Sequence, residues 1–136
     1  MNDTGIPVTT IALLTERERL AIELAVAQWA RSERTASAAV ERLLALGVPT
    51  AEIERHRRAD ATDDRLARLL RYAVTLLLTH GRLDRTDLAR VRPRAGDALL
   101  AETAAVTARA FLRIAVVESL DLPLAVPPLA MAIGDY

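Results

Sequence analysis

LTERERLAIELAVAQWARSERT, residues 14–35, decides how the rest of the chain is read. Thr15 and Glu18 have the spacing of a capping box, so a helix is predicted to start at Thr15 and run to about Ala30. Its second half, LAIELAVAQWA, is apolar nearly all round, with Glu23 and Gln28 the only polar residues. A helix of that kind is buried on several sides, so other helices must surround it. Ser32 then has the chemistry of an N-cap for a second helix.

The same punctuation continues outward. The second helix is predicted to end at Gly47, which supplies a left-handed C′ residue. Thr50 is expected to cap a short helix over 51–58, and RRADATDD, residues 57–64, reads as a polar connection. Thr62 or Asp63 opens a long helix with Leu66, Leu69, Leu70, Ala73, Val74, Leu76 and Leu77 in its apolar stripe, stopping at His80-Gly81. Asp84 caps another short helix ending before Pro93, and Gly96 or Asp97 opens the longest, to about Leu120. No segment alternates as a strand would, and no hairpin signal is present. The expectation is an all-α single domain of six helices over 15–120. It is preceded by an apolar arm, 1–14, and followed by a proline-containing apolar tail, 121–136.

Composition narrows the chemistry. The chain has 136 residues, and its 18 basic residues balance 18 acidic ones. Zero net charge argues against a general nucleic-acid binder. There is no Cys, which excludes disulfides, thiolate catalysis and zinc-thiolate sites. There is no Lys either, so Schiff-base chemistry through a lysine is excluded. Every basic residue is Arg, and Ala is abundant, as expected of a high-GC bacterial genome. No apolar run is long and uncharged enough to call a membrane span, and the start lacks a basic n-region. A cytoplasmic protein with no membrane association is the expectation.

Segment order and punctuation resemble the carboxymuconolactone decarboxylase and AhpD-like family. The residues that carry the resemblance are Leu14-Thr15-Glu16-Arg17-Glu18-Arg19-Leu20 continuing to Leu24-Ala25-Val26, then Gly47-Val48-Pro49-Thr50-Ala51-Glu52-Ile53. They continue through the helix from Asp63 to Ala73, the turn from Gly81 to Leu88, and Leu120-Asp121-Leu122-Pro123-Leu124. The resemblance covers roughly residues 14–125. It implies the six-helix AhpD-like fold and a homo-oligomer, trimeric or hexameric before dimeric, with sites close to subunit boundaries. The family's redox members carry Cys-x-x-Cys, a His after it and a Glu before it. Those positions fall here on Ser32, Thr35, Ala39 and Leu20, so a thiol peroxidase or disulfide reductase is impossible.

The remaining candidates each have two readings. Glu23, one turn from Leu20 on the same helical face, is either a general acid or base or the partner of a buried Arg such as Arg71, Arg109 or Arg113. Ser32 and Thr35 are a plain helix start, or hydroxyls that hold a carboxylate or enolate oxygen. Trp29 is core or the floor of a small-molecule pocket, and Tyr72 is core or interface. Thr103, Thr107, Phe111 and Ile114 share helical spacing and line either a greasy pocket or one that has filled in. His80 complements the macrodipole at a helix end, with a substrate contact as its sharper reading. His56, in ERHRR, reads as part of a solvated face, and two isolated histidines make no metal site.

Two functions fit. One is a cofactor-independent enzyme of lyase, isomerase or cyclase type in bacterial specialised metabolism. There Glu23 would act as acid/base on a carbonyl or carboxylate compound, with Trp29, Ser32, Thr35, Phe111 and His80 binding the substrate. The other is a non-catalytic oligomeric protein that binds a small molecule or serves as a scaffold. A cavity beside Glu23 favours the first, and a solid core there favours the second.

Overall fold

Two reciprocal hydrogen bonds start the first helix. The Glu18 N–H donates to the Thr15 hydroxyl at 3.0 Å, and the Thr15 N–H donates to the Glu18 carboxylate at 2.9 Å. The expected capping box is therefore present, and it satisfies two orphan donors of α1 (Glu16–Trp29). The structure, a computed structural model, describes residues 13–120, without the side chains of residues 91–95. The arm up to residue 12 and the tail 121–136 lie outside the described residues.

After α1 come α2 (Glu33–Ala45), α3 (Thr50–Arg57), α4 (Asp64–Leu78) and α5 (Arg85–Leu120). Inside α5, Gly96 has φ 75° and ψ 157°, a conformation essentially restricted to glycine, so the helix breaks there. The described residues are all-helical, and with this break they form six helical segments. The short helix was expected to end before Pro93. Its backbone instead stays helical past Pro93 and turns at Gly96, the residue that can adopt the required angles. Thr50 is not a cap: Pro49 holds the N-cap position in extended conformation with no side-chain bond, and Thr50 is the first helical residue. Asp63 and Ser32 cap as expected, each accepting from the backbone N–H three residues on.

The apolar character of α1 has the predicted consequence. Leu20, Ile22, Leu24 and Val26 are essentially inaccessible, and α2, α3, α4 and α5 all pack against this one helix. Each such side chain contributes about 1.5–3 kcal/mol through burial. Leu43, Ile53, Leu69 and Leu70 complete the core from α2, α3 and α4.

Residues 13 and 14 are tied to this frame. Their N–H groups donate to the Glu102 carboxylate at 2.8 and 3.2 Å, and the Leu13 carbonyl accepts from Arg65 at 2.8 Å. Arg65 also donates to both Glu18 oxygens, at 2.9 and 3.2 Å. Burial opposes ionisation of Glu18, but the bonds from Arg65 and Thr15 outweigh it and hold the carboxyl below its ordinary range. None of the described helices is long and apolar enough to cross a membrane.

Candidate functional site

Ser32 ends the tight turn between α1 and α2. Its N–H donates to the Ala27 carbonyl at 2.9 Å while Arg31 takes a left-handed φ of 59°. This turn aims the Ser32 hydroxyl inward, where only 2% of the residue is exposed. Oγ lies 2.6 Å from Glu118 Oε2 and 3.0 Å from Thr35 Oγ1. A hydroxyl has one proton. Given to the carboxylate at the shorter distance, it leaves the Thr35 hydroxyl and the Thr35 N–H, at 3.4 Å, to donate to Ser32. Arg34 fastens the same junction by donating to the Val117 carbonyl at 3.3 Å. Leu20 and Ala39, the other two positions picked out by the resemblance, are buried core residues.

Sequence reading missed Glu118, although a signal was there. A carboxylate in the last turn of a helix opposes that helix's dipole, so it needs compensation from elsewhere. The N-terminus of α2 and the Ser32 hydroxyl supply it.

Glu23 is half-buried and forms no hydrogen bond or ion pair among the described residues. Burial raises its pKa above the ordinary 4.5, while Arg42, Arg113 and Arg19 pull the other way with less effect. Of the expected arginine partners, Arg113 alone is among these neighbours. Arg71 instead approaches Asp60 on α3's far end, at 3.7 Å.

Trp29 is not a core residue. It is 38% exposed and meets the 37% exposed Phe111 edge-on, with centroids 6.0 Å apart and planes at 61°. Thr103, Thr107 and Ile114 are buried, and the two threonine hydroxyls donate back to the carbonyls of Leu99 and Thr103 at 2.8 Å each. The filled-in alternative describes this helix face. The structure therefore brings Ser32 and Thr35 together with Glu118, and Trp29 together with Phe111.

His80 stands apart at the end of α4, exposed, with φ 55°. It is the C′ residue of a Schellman turn in which the Gly81 N–H donates to the Leu76 carbonyl at 2.8 Å. His56 does not lie on a solvated face. It is fully buried, because α3 turns this side against the core, and its Nδ1 donates to the Asp60 carbonyl at 3.1 Å. Its Nε2 has no hydrogen-bond partner among the described residues. Among the described residues there is no group of three or more side chains placed to hold a metal ion.

A cavity of about 490 Å³ opens between the connection after α3, α4 and the first part of α5. Arg58, Asp60, Arg71, Tyr72, Leu83 and Arg90 are among its walls. Glu23, Trp29, Ser32, Thr35 and Phe111 are not. Comparison of the chain with family models, with curated proteins and with solved structures gave no match in any of the three.

Proposed function

We propose that this chain is a non-catalytic, self-associating helical protein built on an AhpD-like plan. One observation carries the reading: Ser32, at the position where the resemblance would place a reactive thiol, is buried and donates a hydrogen bond to Glu118 at 2.6 Å. A reacting hydroxyl must reach a substrate, and this one is closed off within a joint between helices. The experiment is exposure of the full chain to a serine-directed fluorophosphonate, read by intact mass and peptide mapping. No adduct at Ser32 is expected. A Ser32 adduct on the folded protein would overturn the non-catalytic reading.

Self-association is supported by the outer face of α5. From Ala98 one row of exposed and half-exposed positions runs 101, 105, 108, 112, 115 and 119, all Ala except Leu112 and Ser119. That alternation of three and four is the spacing of a helix–helix seam, and small residues let two backbones approach closely. The exposed Trp29–Phe111 pair flanks it. A trimeric or hexameric assembly follows the resemblance.

One observation favours the enzymatic reading instead, namely a half-buried Glu23 whose pKa is raised by desolvation. Under that reading Glu23 is the acid/base of a cofactor-free lyase, isomerase or cyclase, and Glu23→Gln abolishes turnover without unfolding the chain.

A further inference from the structure

The cavity beside α4 and the connection that precedes it has walls of mixed chemistry, and the charges on them do not cancel. Its arginines are Arg58, Arg68, Arg71 and Arg90, and its carboxylates are Asp60 and Asp87. Asp60 is drawn away, since Arg55 binds it at 3.1 Å while Arg71 reaches it only at 3.7 Å. Arg68 is occupied as well, by Asp64 at 3.0 Å and the Arg90 carbonyl at 2.9 Å. Arg58 and Arg90 have no carboxylate partner among the described residues. The side wall therefore keeps an excess of positive charge.

Exposed arginines without partners are common, and alone they would indicate nothing. Tyr72 supplies the independent observation. It is 8% exposed and lines the cavity, yet its hydroxyl makes no hydrogen bond to a described residue. The ring is packed while the hydroxyl itself stays accessible, so it is presented to whatever fills the cavity. Burial raises the phenol pKa, and the hydroxyl has a hydrogen to offer an acceptor. Beside it, Ala59, Val74 and Leu83 form an apolar strip. The volume of about 490 Å³ lies within the range of small-molecule sites.

We propose that this cavity binds a small organic carboxylate, its charged end facing Arg58, Arg71 and the Tyr72 hydroxyl and its apolar body against Val74 and Leu83. Guanidinium groups recognise carboxylates through paired N–H donors, and a tyrosine hydroxyl adds a neutral donor that fixes orientation. This binding is independent of self-association and of whether Ser32 reacts.

The test is isothermal titration of the full chain with benzoate, with neutral benzamide and inorganic phosphate as separate arms. Benzoate is expected to bind, more weakly as sodium chloride is raised, and benzamide is expected to give no binding heat. Arg58→Ala removes an exposed side chain without a partner, so the fold stays intact. Tyr72→Phe keeps the packing and deletes only the hydroxyl. Each variant is expected to weaken benzoate about tenfold, the weight of one charge-assisted hydrogen bond. No binding of benzoate, equal binding of benzamide, binding of phosphate alone, or unchanged affinity in both variants would each overturn the proposal.

Discussion

Ser32 Oγ donates a hydrogen bond to Glu118 Oε2 at 2.6 Å across 86 residues of chain, joining the N-terminus of α2 to the last turn of α5. Each helix end would be worse off alone. The carboxylate at a helix C-terminus faces unfavourable dipole charge, and the helix start of α2 has unsatisfied N–H groups. Placed together, one side chain answers both, while Ser32 still caps its own helix through the Thr35 N–H.

The joint should have measurable worth. Ser32→Ala loses the cap and the charged hydrogen bond and is expected to cost about 1–3 kcal/mol. Glu118→Gln, still an acceptor but uncharged, should cost less. Urea denaturation of both variants and the double variant closes a cycle, and a positive coupling energy is expected. Strict additivity would show that the two side chains do not act together.

Glu23 makes the protein's stability pH-dependent in a definite direction. Its folded pKa is raised above the ordinary 4.5, so the folded state holds a proton that the unfolded state has released. The contribution is fully present below the unfolded pKa and is lost as pH rises through the folded one. Relative to wild type, Glu23→Gln should keep its stability across that window. Urea midpoints taken at several pH values from acid to neutral test this, and parallel curves for the two proteins would refute it.

His80 is expected to matter only through its backbone. At φ 55° an L side chain is strained by about 1–2 kcal/mol, which a glycine avoids, although glycine adds chain entropy to the unfolded state. His80→Gly should therefore raise stability by about 0.5–1 kcal/mol. A lower melting temperature would mean that the imidazole makes a contact of its own.

Much of the fold was legible because helix boundaries are set by local chemistry. Thr15 with Glu18, Ser32, Asp63 and Gly47 announce their roles by residue type alone. The turns at Arg31 and Ala59 could not be read in that way. Both adopt left-handed angles without being glycine, because α2, α3 and α4 all pack on α1 and the chain must reverse between them. Gly96 outranked Pro93 as the breaker for a related reason: a proline removes one donor, whereas this corner requires angles that only glycine adopts comfortably. The burial of His56 was hidden by its charged neighbours, since ERHRR places one side chain inward and the rest outward on a single helix. The candidate site was less legible than the fold. Glu118 and Ser32 are remote in sequence, and nothing local pairs Trp29 with Phe111 or gathers Arg58, Arg71 and Tyr72 around one cavity.

If the chain self-associates as proposed, the uncharged row along the outer face of α5 seats the second copy. Static light scattering of the purified protein, eluting from a sizing column at micromolar concentration, tests it most directly when wild type is run beside Leu112→Glu. Leu112 is the one large residue of the seam and is 43% exposed, so a charge there leaves the core of a single chain untouched. Wild type is expected at a multiple of the 14.8 kDa chain mass, and Leu112→Glu at or near one chain with unchanged helix content. A wild-type mass of one chain, or an assembly that Leu112→Glu leaves intact, would contradict it.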